Sequence, residues 1–340
     1  MTDSPYTGGR LRAYLEFLAA FLYFFFAYSL ALHGARGLAS DAWIPLVEQA
    51  MLVFLLLIGY CALGFWMDGQ VHPVREQGLP LRPGFAQEAG LGLATGWGIA
   101  VVCVIPLAIF GGIAVSITLQ ASAWGWFVAD AAFFALLTLA EEIAFRGYAF
   151  QRFVGAVGPV GAALGFAAIY AILQALIPGA NHASFAVSFI LGLVLSACYL
   201  RTRALWVSWG LNFGWKATRA LLFGLSVNGL VNHSPVVEGD PMGRLWLSGG
   251  AFGLDGSWLS FIVLLLALPV VFRLTRDLNF RYNTPVIVPG GIPVDLDAAA
   301  RAQHEAATRP AAPAPPTLVQ IENTGTKGPR KQGNEQTGTE

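Results

Sequence analysis

Apolar runs of bilayer-spanning length recur along most of the chain, and this pattern restricts the possible folds more than any other feature. A transmembrane helix needs about 17–25 mostly apolar residues. We find about eight such runs, at approximately 14–32, 43–66, 89–117, 123–153, 157–176, 184–200, 205–223 and 256–274. The third run is long enough for a tilt or a re-entry. Because backbone polar groups in lipid need partners, we predict an all-α, polytopic membrane bundle of about eight transmembrane helices.

The composition agrees with a membrane protein and excludes several other classes. Charged residues make up 12% of the chain and hydrophobic residues 56%, with no net charge, whereas soluble proteins average about 25% charged residues. Without a basic excess, the sequence gives no indication of a nucleic-acid partner. Cys61, Cys103 and Cys198 lie within apolar runs without metal-type spacing, so we interpret them as packing residues.

The arginines indicate how the chain is oriented, because short loops rich in Lys and Arg remain cytoplasmic. The first apolar run is too long for a signal peptide and is followed by further runs, so we interpret it as a retained helix. With eight spans, one side carries Arg10, Arg12, Arg75, Arg82, Arg146, Arg152, Arg201, Arg203, Arg273, Arg276 and Arg281. The other side carries little more than Arg36, Arg219 and Arg244, the last near Glu238, Asp240 and Asp255. We therefore predict an integral membrane protein with both termini in the cytoplasm.

The composition also divides the chain. From Asn283 onward it is rich in Pro, Ala, Gly and Thr, and too poor in large apolar residues to form a core. We predict N-terminal transmembrane helices and a cytoplasmic loop over residues 1–88, a membrane core over 89–276, and a disordered cytoplasmic tail over 277–340.

Two acids and a base lie inside the apolar segment "LTLAEEIAFRGYAFQRF", residues 137–153. Charges at membrane depth are costly and usually face the bundle interior, where they mark a functional site. Glu142 and Arg146 are four residues apart, which is also the spacing of an ordinary helical ion pair, and Arg146 could instead reach the interface. Glu141 lies about 100° further round the helix, so that pair does not account for it.

The segments around these charges resemble the CPBP family of intramembrane proteases. "EEIAFRGYAFQRF" is followed by "GPVGAALGFAAIYAIL", then by "LGLVLSACYLRTRALWVSWGLNFGWKATRALLFGLSVNGL" and "SGGAFGLDGSWLSFIVLLLALPVVFRL". The likeness covers roughly residues 90–276. The family includes type II CAAX prenyl endopeptidases, bacteriocin-processing, abortive-infection and immunity proteins, and lysostaphin-resistance protein A. The resemblance implies an endopeptidase of membrane-bound or prenylated peptides in a bacterial inner membrane, with zinc in the active members.

The resemblance also assigns roles to residues. Of the family's three catalytic elements, EExxxR is intact as Glu141, Glu142 and Arg146, and it implies that Glu141 activates water. The FxxxH element aligns with "YAILQ", which places Gln174 where the family has His. The HxxxN element aligns with "NFGWK", which places Asn212 in the position of His and Lys216 in that of Asn.

Helix geometry places the altered residues near Glu141 without reference to the family. Glu141 and Gln174 lie at similar distances before and after a predicted turn near 155–158, so at about 1.5 Å per residue they share a depth. Asn212 and Lys216 lie roughly 12 and 18 Å from the start of the seventh run. We predict that Lys216 pairs with Glu141 in one polar cluster with Asn212 and Gln174. The alternative is that Lys216 extends to the cytoplasmic interface.

Glutamine and asparagine neither ligate zinc as histidine does nor carry protons near neutral pH, and the Lys216 charge opposes a divalent cation. We therefore expect no cofactor and no metal site. Nor do we expect another histidine to restore the site, because His33, His182 and His233 fall in predicted outer loops, and His72 and His304 in a cytoplasmic loop and the tail.

Two functions remain open at this stage. One is an intramembrane endopeptidase, which the loss of both motif histidines would impair or inactivate. The other is a pseudoprotease that binds a peptide, a lipid or a partner protein in the same cavity, with membrane lipids around it. A transporter is disfavoured because the two halves show no inverted repeat or paired broken helices.

Overall fold

The computed structural model describes residues 5–110, 112–230 and 233–282. Over these residues the protein is helical apart from one small sheet. The helices are α1 (Pro5–Leu38), α2 (Ile44–Asp68), α3 (Pro73–Glu76), α4 (Phe85–Ile109), α5 (Ala121–Arg146), α6 (Tyr148–Val157), α7 (Pro159–Ala175), α8 (His182–Thr202), α9 (Trp206–Ala217), α10 (Leu245–Ser248), α11 (Trp258–Leu274) and α12 (Arg276–Tyr282). Strands β1 (Ile113–Ile117) and β2 (Val237–Pro241) form an antiparallel pair. The prediction of a disordered tail over 277–340 is wrong for residues 277–282, which belong to α12, and the rest of that tail, from Asn283, lies outside the described residues.

The long apolar helices make this an integral membrane protein of the helical class. Within the described residues, five helical segments are long and apolar enough to cross a bilayer: Gly9–Leu38, Asp41–Asp68, Phe85–Ile109, Ala121–Val157 and His182–Thr202. Helices α7 and α11 are apolar but shorter. Helix α8 is the most buried of the five long segments and lies at the centre of the core. The three cysteines are free, and Cys103 and Cys198 are buried, which agrees with their predicted packing role.

Two predicted runs are divided differently in the structure. The run 89–117 is not one tilted or re-entrant helix, because α4 ends at Ile109 and residues 113–117 form β1. Pro106 removes a backbone donor in the last turn of α4, and the β-branched side chains of β1 favour a strand. The run 123–153 breaks at Gly147, whose ψ of −138° is not helical. A Cβ at Gly147 would lie 2.3 Å from the carbonyl oxygen of Ile143.

Glycines bring α4 and α9 into backbone contact. A Cβ on Gly96 of α4 would lie 2.1 Å from the Leu211 carbonyl oxygen, and one on Gly210 of α9 would lie 2.2 Å from that of Ala89. Gly92 and Gly214 face the opposite backbone at similar distances. Small residues at four-residue spacing allow this approach in membrane helices. The contact holds α9 in place between α4 and α5.

Gly96→Ala is expected to lower the free energy of unfolding by about 1–3 kcal/mol, because the added methyl overlaps the α9 backbone. Thermal melting in detergent, followed by tryptophan fluorescence, measures the change. Gly98→Ala is the matched control, since nothing lies within 4 Å of a Cβ built there on the same helix. Equal melting temperatures for the two variants would contradict the close contact of α4 and α9.

Candidate active site

The predicted charged residues meet where the end of α5 faces the middle of α9. Glu141, Glu142 and Arg146 lie in the last two turns of α5, and Asn212 and Lys216 are one turn apart on α9. Gly210 and Gly214 turn one face of α9 toward α4, and Asn212 and Lys216 lie on the other face, where they bond to Glu141 of α5.

Both carboxylate oxygens of Glu141 have partners on α9. Lys216 Nζ donates to Oε1 at 2.5 Å, and Asn212 Nδ2 donates to Oε2 at 2.8 Å. The Lys216 side chain is 1% exposed, whereas that of Glu141 is 14% exposed. The ion pair predicted between Lys216 and Glu141 is therefore present. Lys216 does not extend to the interface.

Glu142 and Arg146 form a second, fully buried pair. Arg146 Nη1 lies 3.3 Å from Glu142 Oε1, which also accepts from Asn212 Nδ2 at 3.1 Å. Arg146 donates a further hydrogen bond to the Gly192 carbonyl oxygen at 3.3 Å, and its guanidinium lies 5.7 Å from the centre of the Tyr170 ring. This pair joins α5 to α8 and α9, and Asn212 bridges it to Glu141. The i,i+4 pair expected from the sequence is thus present.

Gln174 lies on α7 and is separate from this hydrogen-bonded group. It is 7% exposed and lines the same cavity as Glu141. Its Oε1 atom has no hydrogen-bond partner among the described residues. The prediction of one polar cluster is therefore right for Glu141, Asn212 and Lys216, whereas Gln174 shares only the cavity.

The cavity beside Glu141 has a volume of about 580 Å³ and lies between α1, α2, α5 and α7. Its walls are largely apolar and include Phe24, Phe133 and Phe145. Residues of α1 and α2 were not expected at the site, because no motif marks them and their approach to α5 depends on tertiary packing. Gln49 of α2 is a further buried polar residue in this wall.

The residues at the site do not fit zinc. The groups that could bind a metal here are the carboxylates of Glu141 and Glu142 and the side-chain amide of Asn212. The amide nitrogen already donates to both carboxylates, and the Lys216 ammonium already donates to one oxygen of Glu141. Zinc sites use neutral His, thiolates or carboxylates, and a fixed ammonium repels the ion. Across residues 5–110, 112–230 and 233–282, no group of three or more His, Cys, Asp or Glu could hold a metal ion.

None of the four histidines that the structure describes lines the cavity, and two of them lie elsewhere than predicted. His33 lies within α1 and His182 is the first residue of α8, so neither is in a loop. Asn181 caps α8 by accepting from the Ser184 backbone, which extends the helix to His182. His233 does lie in a loop, where its Nδ1 is 3.1 Å from Asp130 Oδ1. His72 is exposed just before α3, and His304 lies outside the described residues.

A third buried ion pair follows Lys216 along the chain. Arg219 Nη1 lies 2.9 Å from Asp255 Oδ2, and the guanidinium lies 3.9 Å from the centre of the Trp215 ring. Trp215 Nε1 and the Asn228 backbone nitrogen donate to the Asp255 carboxylate at 3.2 Å. The prediction that Arg219 and Asp255 lie in loops is wrong, because both lie in short helical segments, where this network buries them.

Comparison with known proteins relates part of the chain to a family. Residues 121–218 match the family described as type II CAAX prenyl endopeptidase Rce1-like. The matched segment begins at the first residue of α5 and includes Glu141, Gln174, Asn212 and Lys216. Neither the curated proteins nor the solved structures provide a match.

Proposed function

Since this chain is a membrane protein of the CPBP family, with its Rce1-like segment at residues 121–218, we propose that it binds a ligand in its membrane cavity and does not hydrolyse peptides. It is a pseudoprotease in this account. The family's position for a water-activating acid is kept, and the residues around that acid have changed.

The observation that carries the proposal is the pairing of Glu141. A general base must reach a water or substrate proton within hydrogen-bond distance. In this chain Lys216 and Asn212 hold both oxygens of the Glu141 carboxylate. General-base catalysis and oxyanion stabilisation each contribute about 10²- to 10⁴-fold to the rate of such reactions. Without a free base and without motif histidines, peptide hydrolysis should be slower by several orders of magnitude.

The cavity supports a binding role. Its volume of about 580 Å³ lies within the range of roughly 300–1,000 Å³ found for small-ligand sites. Its largely apolar wall, with Glu141 and Gln174 as polar points, resembles the usual lining of such sites. A small ligand could therefore occupy this cavity beside Glu141.

Endopeptidase activity is the second candidate, and one observation favours it. Glu141 lines the cavity and its side chain is 14% exposed, so a substrate could reach it if Lys216 moved away. In that case Lys216 would supply the positive charge for the developing oxyanion.

The experiment compares hydrolysis of a panel of prenylated CAAX peptides by two purified proteins. One is the native chain, and the other carries Gln174→His, Asn212→His and Lys216→Asn. We expect the native chain to leave the peptides intact and the triple variant to bind zinc and cleave them. Thermal melting shows whether the triple variant is folded. Cleavage by the native chain that Glu141→Ala abolishes would contradict the proposal and favour the second candidate.

We further propose eight crossings with both termini in the cytoplasm of a bacterial inner membrane. Three sets of contacts support a shared cytoplasmic side, because each joins helix ends that eight crossings place together: Arg152 with Asp68, Arg82 with Glu88 and the Thr202 carbonyl, and Arg201 with Thr275. A cysteine at the exposed position Glu238 should then react with a membrane-impermeant maleimide on intact cells. Labelling only after permeabilisation would show that the protein has the opposite orientation.

A further inference from the structure

The charged side chains that line the cavity beside Glu141 are all acidic. Two acids, Glu48 and Glu141, line it, and no Lys, Arg or His does so among the described residues. The Lys216 ammonium neutralises the charge of Glu141, although Lys216 itself does not line the cavity. Glu48, in the second turn of α2, is half-buried and forms no ion pair within 4 Å among the described residues. The cavity therefore carries excess negative charge at Glu48.

Two buried amides add unused polar atoms to the same wall. Gln49 is 8% exposed and Gln174 is 7% exposed, and both line the cavity. In the part of the chain that the structure describes, neither Oε1 atom has a hydrogen-bond partner. Each of these oxygen atoms exposes less than 1 Å², so a ligand in the cavity reaches it only when the amide turns toward the cavity. A buried polar atom without a partner is costly, and this cost favours such a turn when a ligand offers a hydrogen-bond donor.

Aromatic rings surround the polar atoms. Phe24, Phe25 and Tyr28 come from α1, and Phe145 and Tyr170 face them from α5 and α7. Ring faces attract cations and also pack against hydrocarbon chains. The wall thus offers one surface that suits both a positive head group and an apolar body.

From this charge, these amides and these rings, we infer that the cavity binds a small amphiphile that carries a protonated amine on an apolar chain. The ammonium group has three donors and no acceptor, which suits the Glu48 carboxylate and the oxygen of either amide that turns toward the cavity. A volume of about 580 Å³ suits a single-chain molecule. A carboxylate or phosphate head group finds no cation in the described wall. The inference rests on the proposed binding function and specifies its ligand.

The test uses three probes with the same 12-carbon chain: dodecylamine, dodecanol and dodecanoate. Each is titrated at pH 7 into the full-length protein in phosphatidylcholine nanodiscs, and binding to empty nanodiscs is subtracted. We expect dodecylamine to bind at least tenfold more tightly than either of the other probes. Glu48→Gln should weaken dodecylamine binding about tenfold and leave dodecanol binding unchanged, because it removes the charge and keeps the shape.

Glu238→Gln is the matched control, since Glu238 is an exposed acid on β2 outside the cavity. It should bind dodecylamine as the native chain does. Equal affinity for the three probes, or an equal loss in Glu48→Gln and Glu238→Gln, would overturn the inference. Peptide hydrolysis is assayed on the same preparation. Cleavage together with selective amine binding would refute the pseudoprotease and keep the ligand chemistry, whereas the absence of both would refute only the inference.

Discussion

Lys216→Met is expected to lower the free energy of unfolding by about 3–5 kcal/mol, because removing one partner of a buried ion pair leaves the other charge uncompensated. The Lys216 side chain is 1% exposed and lies 2.5 Å from Glu141. Methionine keeps much of the length and apolar character of lysine, so the loss reports mainly on charge. Thermal melting of the purified protein in detergent measures it.

A double-mutant cycle separates the ion pair from its surroundings. Glu141→Gln retains an amide oxygen that can accept from Asn212 and removes the negative charge. The combined variant Glu141→Gln with Lys216→Met should recover much of the lost stability, because neither charge then remains unpaired. Additive losses, or a melting temperature for Lys216→Met equal to that of the native chain, would mean that the ion pair does not stabilise the bundle.

Asp255→Asn is expected to lower the free energy of unfolding by about 3–5 kcal/mol, since it leaves the Arg219 guanidinium buried without its counter-charge. Arg219 and Asp255 are both buried, and the carboxylate also accepts from Trp215 and from the Asn228 backbone. Asparagine retains the size but offers one acceptor oxygen instead of two. The same melting experiment measures this change.

Asp240→Asn is the control for that substitution. Asp240 lies in β2 and is exposed, and a charge in contact with water contributes little to stability. The free energy of unfolding of the control should therefore lie within about 1 kcal/mol of that of the native chain. If both variants lose the same stability, the Arg219–Asp255 network is not the cause.

The contact between Lys216 and Glu141 could be predicted because helix rise and turn position place both residues at a similar depth in the bundle. Residues on neighbouring helices meet when they lie equally far from the turns that join the helices. Apolar run length likewise indicated membrane helices. It predicted about eight crossings, whereas five segments within the described residues meet the length and composition criteria for a crossing.

Run length does not distinguish a helix from a strand, and this is why β1 was missed. Residues 113–117 are apolar and follow α4 directly, but they pair with β2, more than 100 residues later. Such long-range pairing leaves no periodic signal in one short segment. The break at Gly147 was missed for a related reason, because a single glycine inside an apolar helix does not by itself indicate a turn.

The cavity walls and the Arg219–Asp255 pair depend on tertiary packing. Glu48 and Gln49 come from α2, and only the packing of α2 against α5 brings them near Glu141. Arg219 and Asp255 are separated by a described strand and helix. The charges were visible in the sequence, but their burial was not, because a base near the end of an apolar run can equally face water.

The most direct test of the account is a single-turnover hydrolysis assay of the native protein in excess over prenylated CAAX peptides, beside its own Glu141→Ala variant. Excess enzyme makes even a slow reaction measurable. If Lys216 and Asn212 hold the Glu141 carboxylate as the structure places them, the two proteins should give the same background rate. Hydrolysis by the native chain that disappears in Glu141→Ala would show that Glu141 is a working catalytic base and would contradict the account.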